Sequence, residues 1–290
     1  MRYQALLLAL IIIGGAYTLH AEKGEGIVSY TGENAKNTRA DTAREPVWEM
    51  SCESSLAALT SQSALVKNMA TEEILFEKNA GAQWPIASLT KLMTGIVAKE
   101  KIPEQKNIVV GVTAIRAPSG EVFKEGNTVT RDQSIEGMIV HSNNGLAIAL
   151  AETYGEETFL EAMEQKADAL KMFHTYFKDS TGLSRDNKST ARDLLKLIEY
   201  IITEQEDILS VSRQKTAEII ELGTGERIVL PNKNPAAEEP GFMGGKTGYI
   251  KVANRNAINI FRVRNEPVVT ILLGADDAWY ETKVLLRCVP

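Results

Sequence analysis

Three short strings in a fixed order constrain this chain more than any other feature. They are SLTK at residues 88–91, SNN at 142–144 and KTG at 246–248. Each string alone is weak, because an S-x-x-K pattern is expected about once in a chain of this length. A second copy, SRQK, indeed stands at residues 212–215. If the ordered trio acts together, the fold must bring three distant segments to one place.

The surroundings of Ser88 favour it over Ser212 as the functional serine. Apolar residues recur after Ser88 at helical spacing and predict a largely buried helix with Ser88 in its first turn: Leu89, Leu92, Met93, Ile96 and Val97. No S-x-N string separates Ser212 from Lys246. The alternative is that Ser88 only caps the helix, since serine is a preferred N-cap residue.

The rest of the chain predicts a mixed order of elements. A hairpin is expected over residues 63–77, helices over 159–172 and 191–202, and short strands and loops over 107–130. Five further strands are expected at 216–222, 227–230, 245–252, 256–263 and 267–273. A closing helix is expected at 279–287. This order indicates an α/β domain whose antiparallel sheet uses both ends of the chain.

The three strings, with Gly244 and Gly245 before the last, resemble those of serine-type D-alanyl-D-alanine carboxypeptidases, the small penicillin-binding proteins of bacterial cell walls. The similarity extends over about residues 63–287. It implies an α/β fold of the β-lactamase/transpeptidase-like type. In that fold three layers form around an antiparallel sheet built from both chain ends, with helices on both faces and a helical block inserted.

The spacing of Ser88 and Lys91 places both side chains on one side of a helix. An alcohol needs a base to become a nucleophile, and a lysine serves only if burial and a second cation lower its pKa. The resemblance implies a catalytic set and a substrate-binding set. The first is Ser88, Lys91, Ser142 and Asn144; the second is Lys246, Thr247, Gly248 and Tyr249. It also implies an oxyanion hole at the backbone N–H groups of Ser88 and Tyr249.

On this interpretation, Lys246 and Thr247 bind the free carboxylate of the substrate, and Gly248 lets the substrate backbone approach the strand edge. The expected partners are peptidoglycan stem peptides, with β-lactam antibiotics as acylating inhibitors. Two departures from the family pattern concern substrate detail. The hairpin turn has Ala70–Glu73 where a glycine is usual, and Ala253–Asn256 replaces an Ala-Gly pattern.

Three other functions are compatible with much of this pattern. A class A β-lactamase adds a Glu-x-x-Leu-Asn motif, which the stretch between Ser142 and Lys246 lacks. A D,D-endopeptidase is harder to separate from a carboxypeptidase. A non-catalytic, exported peptidoglycan-binding module on the same fold is the remaining alternative.

The N-terminal residues predict export. The run at 5–19 is apolar and uncharged, so residues 1–21 are expected to be a signal peptide or an N-terminal membrane anchor. A polar linker is expected at 22–54 and the peptidase domain at 55–290. The domain would lie in the periplasm or at the cell surface, and any attachment to the membrane would fall to the N-terminal segment.

Composition limits the classes of partner and cofactor that this chain can be expected to bind. The formal net charge is −6 without a long basic run, which argues against nucleic acid as a partner. The three histidines are scattered, so neither a metal nor another cofactor is expected. The two cysteines, Cys52 and Cys288, could pair outside the cytoplasm, but their spacing does not decide it.

Overall fold

The computed structural model describes residues 51–288. The predicted leader and nearly all of the predicted linker lie outside this range. The helices in it are α1 (Cys52–Ala57), α2 (Thr90–Lys101), α3 (Val112–Arg116), α4 (Arg131–Val140), α5 (Asn144–Tyr154), α6 (Glu156–Ala169), α7 (Ala191–Glu204), α8 (Glu206–Ser212) and α9 (Ala278–Cys288). The strands are β1 (Ser63–Asn68), β2 (Ile74–Lys78), β3 (Trp84–Pro85), β4 (Asn107–Val109), β5 (Thr128–Thr130), β6 (Lys188–Ser189), β7 (Thr216–Ile220), β8 (Arg227–Pro231), β9 (Phe242–Ile250), β10 (Asn254–Val263) and β11 (Glu266–Ala275).

The main sheet is antiparallel and has the order β2-β1-β11-β10-β9. In the middle of the sheet, β1 from the start of the domain pairs with β11 from its end, and Ser63 lies opposite Leu273. Alternate residues of β1 face opposite sides of the sheet. Leu65 therefore packs into the large core shared with the helical block, whereas Ala64 and Val66 pack into the smaller core on the other face.

Helices cover both faces of this sheet. Helices α1 and α9 lie on the face of the smaller core, where Val284 and Leu285 of α9 meet the strands. Helices α2 and α4–α8 form the block on the other face, with α2 near its centre because residues 90–98 of that helix are all buried. The predicted three-layer α/β arrangement with an inserted helical block is confirmed.

A disulfide between Cys52 and Cys288 joins α1 to α9, which decides the pairing that the sequence left open. Residues 52–54, which were expected to end the linker, belong to helix α1 and pack with the domain.

Within residues 51–288, no helix is long and apolar enough to cross a membrane. The same residues contain no cluster of three or more His, Cys, Asp or Glu side chains suited to a metal ion.

The sequence pattern misses three short helices, α1, α3 and α8, and explains two turns incompletely. Helices α3 and α8 are too short for a clear apolar period, so the pattern predicts only strands and loops over 107–130 and no helix at α8. At the two departures from the family pattern, Glu72 (φ 62°) and Asn254 (φ 54°) adopt the left-handed conformation that glycine would take more easily. Asparagine tolerates that conformation better than glutamate.

Candidate active site

Ser88 lies in a single turn of 3₁₀ helix, Ala87–Leu89, that leads directly into α2. Two glycines allow other segments to pack against this turn. A Cβ at Gly182, whose φ is +86°, would lie 1.9 Å from the carbonyl oxygen of Ala87. A Cβ at Gly248 would lie 2.9 Å from the backbone nitrogen of Ser88. The position of the serine therefore depends on backbone packing from two sides.

Lys91 is completely buried one turn after Ser88. Its Nζ donates to Ser88 Oγ at 3.0 Å, to Asn144 Oδ1 at 2.7 Å and to the carbonyl oxygen of Thr181 at 2.5 Å. Burial first, and then the charge of Lys246, lowers the pKa of Lys91 well below its ordinary value, while Asp179 acts against this shift. The arrangement favours a neutral amine, which keeps two N–H donors for Asn144 and Thr181 and has a lone pair that can accept from the Ser88 hydroxyl.

The second string occupies the junction between α4 and α5. Ser142 has a φ of 59°, in the left-handed region, and Asn143 caps α5 by accepting a hydrogen bond from the N–H of Leu146 at 2.9 Å. Asn144 is fixed by a 2.7 Å hydrogen bond from its Nδ2 to the carbonyl of Pro118. This bond orients Oδ1 of Asn144 toward Lys91. Asn143, the middle residue of the string, thus caps the helix, whereas Ser142 and Asn144 line a groove.

Lys246 projects from β9, the edge strand of the sheet, and is 2% exposed. Its Nζ donates to Ser142 Oγ at 2.9 Å and to the carbonyl oxygen of Thr247 at 3.0 Å. Burial lowers the pKa of Lys246 to about 7. At neutral pH this group therefore exists in both protonation states and can release or accept a proton beside Ser142.

The remaining three predicted residues, Thr247, Gly248 and Tyr249, lie along the same strand. The approach of substrate backbone to Gly248 stays a prediction, but the structure gives a further reason for glycine there. The nearest neighbours of a side chain at this position would be atoms of Ile86, Ala87 and Ser88. Tyr249 is 60% exposed, and the guanidinium of Arg255 lies 5.6 Å from the centre of its ring.

A groove of about 710 Å³ connects these groups. It is lined by residues from the three strings, from the start of α9 and from several other segments: Ser88, Ser119, His141, Ser142, Asn144, Lys233, Pro235, Thr247, Gly248, Tyr249, Arg255, Asn256, Asp277, Ala278 and Trp279. The structure thus brings the three sequence strings to one cleft. The catalytic and binding roles assigned to them from sequence remain predictions.

The second S-x-x-K copy serves packing. Ser212 is buried; its hydroxyl donates to the carbonyl of Leu209 at 2.7 Å and accepts from the N–H of Gly245 at 2.9 Å. Lys215 points outward to an ion pair with Glu238. Ser212 therefore fastens the end of α8 to β9.

The sequence family described as D-alanyl-D-alanine carboxypeptidase matches residues 50–277, most of the chain. The chain belongs to the D-alanyl-D-alanine carboxypeptidase family. The resemblance indicated by the three strings is confirmed.

Two proteins that are similar in sequence to this chain are named D-alanyl-D-alanine endopeptidase. The protein from Pseudomonas aeruginosa is 37% identical over 48% of this chain and 47% of its own length. The protein from Haemophilus influenzae is 30% identical over 76% of this chain and 78% of its own length.

Solved structures agree with the family assignment. Penicillin-binding protein D2 from Listeria monocytogenes, determined in an ampicillin-bound form, has a TM-score of 0.67 with 25% sequence identity. The superposition covers 79% of this chain and 97% of that protein. The carboxypeptidase-family fold therefore extends over nearly all of the part of the chain that the structure describes.

One residue important to this carboxypeptidase-family site was not singled out from sequence. Asp179 accepts hydrogen bonds from the backbone N–H groups of Thr181, Gly182 and Ser184, each at 2.7 Å. Burial acts to raise the pKa of the Asp179 carboxyl, but a hydrogen bond from the Thr181 hydroxyl, also at 2.7 Å, and these three backbone bonds keep it below its ordinary value. They shape the loop that presents the Thr181 carbonyl to Lys91. An aspartate two residues before a Thr-Gly pair was the available signal, because aspartate commonly bonds such turn N–H groups.

Proposed function

We propose that this chain is a serine D-Ala-D-Ala carboxypeptidase that removes the terminal D-alanine from peptidoglycan stem pentapeptides through an acyl-serine intermediate. The observation that carries the proposal is the 3.0 Å contact between Ser88 Oγ and the buried amine of Lys91. A hydroxyl next to a neutral amine is the arrangement that an activated serine requires. Family membership supplies the substrate class.

In the acylation step, the Ser88 oxygen attacks the carbonyl carbon of the penultimate D-alanine while its proton passes to Lys91. The resulting oxyanion is received by the N–H groups of Ser88 and Tyr249, as the family resemblance implies. Losing one such donor typically lowers the rate by about 10²–10³-fold. The three hydrogen bonds that hold Lys91 keep its nitrogen in place for this transfer.

Collapse of the intermediate breaks the peptide bond, and the departing nitrogen needs a proton. Ser142 is positioned to pass one, because its hydroxyl accepts a hydrogen bond from Lys246 at 2.9 Å. A pKa of about 7 suits Lys246 to give up that proton near neutral pH. Water then attacks the acyl-serine ester and passes a proton through Ser142 to Lys246, while Lys91 returns its proton to the Ser88 oxygen. These transfers release the shortened peptide and restore the Ser88 hydroxyl.

A second candidate, D,D-endopeptidase cleavage of cross-linked stem peptides, is favoured by the names of both relatives described above. The two reactions share the serine chemistry and differ in the leaving group, which is a single D-alanine in one and a second stem peptide in the other. The groove of about 710 Å³ is lined by residues from several elements in addition to Ser88, Ser142 and Asn144. Assays with a pentapeptide and with a cross-linked muropeptide dimer separate the candidates by which product forms faster.

β-Lactam antibiotics are proposed as acylating inhibitors, because the ampicillin-bound relative has the same fold. Peptidoglycan lies outside the cytoplasmic membrane, so the substrate supports an exported domain in the periplasm or at the cell surface. Whether residues 1–21 act as a cleaved signal or as an anchor stays a prediction.

The decisive experiment combines D-alanine release with covalent labelling by a fluorescent penicillin. We expect Ser88→Ala to abolish both signals. Ser212→Ala is the matched control within the second S-x-x-K string, and it should retain labelling because Ser212 serves packing. Equal labelling of the Ser88 variant and the unaltered protein would refute the assignment of the nucleophile.

A further inference from the structure

His141 comes directly before Ser142, at the junction between α4 and α5. Its backbone N–H donates to the carbonyl of Gly137 and ends α4. The residue lines the same groove as Ser88 and Ser142. The steps proposed above do not use it, although it is adjacent in the chain to the hydroxyl that passes a proton to the departing nitrogen.

The imidazole of His141 has one nitrogen engaged with the main chain. Nδ1 lies 2.9 Å from the carbonyl oxygen of Pro231, at the end of β8. A carbonyl oxygen only accepts, so Nδ1 carries the hydrogen and donates it. In the neutral ring Nε2 then has a free lone pair and is an acceptor. Among the residues that the structure describes, none donates a hydrogen bond to Nε2.

The surroundings of His141 favour the neutral ring. Burial is the largest of the causes that lower the pKa of His141 below its ordinary value, and the charges of Lys233 and Lys246 act in the same direction. The bond to Pro231 and the carboxylate of Glu121 oppose this shift. The result is a hydrogen-bond acceptor in a part of the groove where the neighbouring ammonium groups can only donate.

The scissile peptide bond supplies a donor for this acceptor. Its nitrogen carries one hydrogen, and it gains a free lone pair when the carbonyl carbon becomes tetrahedral. The proton from Ser142 must reach that lone pair, which points away from the hydrogen. An acceptor that holds the N–H in one direction therefore turns the lone pair toward the proton donor.

We propose that His141 Nε2 accepts a hydrogen bond from the N–H of the scissile peptide bond and so orients the departing nitrogen for protonation by Ser142. This assignment rests on the proposed function and adds a residue to its leaving-group step. The nitrogen keeps its own hydrogen, gains one from Ser142 and leaves as a neutral amine, while Lys246 returns a proton to Ser142. The contact serves D-alanine and the amine of a cross-link alike, because both depart as nitrogen.

The test compares two substrates that differ only at the leaving atom. One is a pentapeptide ending in D-Ala-D-Ala, and the other is its ester analogue ending in D-lactate, in which oxygen replaces the scissile N–H. His141→Asn is the main variant, because an asparagine amide matches the position of Nδ1 and has no atom at that of Nε2. We expect kcat/KM to fall about 3- to 10-fold for the peptide and less than about twofold for the ester.

Further variants and a second reagent separate this contact from a structural effect. His141→Gln carries an amide at the reach of Nε2 and should recover part of the loss on the peptide. The nitrogen of a β-lactam ring has no hydrogen, so the rate of labelling of His141→Asn by a fluorescent penicillin should change less than about twofold. His174→Asn makes the same substitution at an exposed histidine outside the groove lining and should change neither rate.

An unchanged ratio of the peptide and ester rates in His141→Asn would overturn the assignment. An equal loss on the peptide, the ester and the penicillin would show a structural role and would overturn it as well. Failure of the proposed function is detected separately, as absence of product from both substrates with the unaltered protein.

Discussion

Replacing Gly248 by alanine tests whether packing of β9 against the Ser88 turn controls catalysis. The added Cβ would lie 2.9 Å from the Ser88 nitrogen, 3.0 Å from the Ile86 carbonyl oxygen and 3.2 Å from the Ala87 Cβ. Ordinary contacts begin at 3.4 Å. The turn or the strand must therefore move by about half an ångström, since two of the three neighbours are backbone atoms.

The displacement should fall mainly on the Ser88 turn, because β9 is held by its pairing with β10 and by the bond from Gly245 to Ser212. A misplacement of about 1 Å can lower an enzymatic rate by 10²-fold. Half of that displacement predicts a fall of about tenfold in the rate of acylation. Overpacking should also lower the free energy of unfolding by about 1–3 kcal/mol.

The assay is the second-order rate of labelling by a fluorescent penicillin, with urea unfolding measured on the same samples. Gly81→Ala is the matched control, because no atom lies within 4 Å of a Cβ at that position, and it should leave the rate unchanged. Adding Ala87→Gly to the Gly248 variant removes one of the three contacts and suits the positive φ of 49° at that residue, so the rate should partly recover. A folded Gly248→Ala protein with an unchanged labelling rate would contradict this explanation of the glycine.

Two further predictions concern the buried amine and the strained hairpin. The pKa of Lys246 is about 7 in the folded chain and near 10.5 when unfolded, so the unfolded chain binds more protons between these values and stability should rise with pH across that window. Lys246→Met should remove this pH dependence, which is at most about 1.4 kcal/mol per pH unit. The measurement is the free energy of unfolding in urea at several pH values. If its dependence on pH is the same in Lys246→Met and in the unaltered protein, the idea is wrong. At the hairpin, Glu72→Gly should be more stable than Glu72→Ala by about 1 kcal/mol, because both lose the ion pair with Lys67 but only glycine relieves the left-handed backbone. Equal unfolding midpoints of these two variants would count against backbone strain at that turn.

Strong local patterns in the sequence predicted the longer helices and strands, whereas the three-layer arrangement and the meeting of the three strings were implied by the family resemblance. Helix α2 has a long apolar period, and the strands of the main sheet are long and rich in apolar residues. Helix α8 has only seven residues, too few to distinguish it from a loop by periodicity. The sequence therefore missed the element that Ser212 fastens to β9.

The finer parts of the site depend on long-range backbone contacts, which leave no local pattern. The Thr181 carbonyl that binds Lys91 and the Pro118 carbonyl that orients Asn144 are main-chain groups, so the residue type does not reveal them. The explanation of Gly248 from the sequence was incomplete because its close neighbours also come from a distant segment of the chain. A glycine in a strand indicates that something approaches closely, but only the fold identifies the Ser88 turn as one such neighbour.

The pairing of β1 with β11 has a consequence for how the domain is made. Ser63 cannot pair with Leu273 until almost the entire domain has been synthesised, so the first hairpin has no permanent neighbour on that side before then. Contacts this distant in sequence slow folding and leave a strand edge open to association with other chains in the meantime. Because β9 is joined to the sheet through β10 and β11, the wall of the groove that carries Lys246 is completed late, and an unfinished chain has no working site.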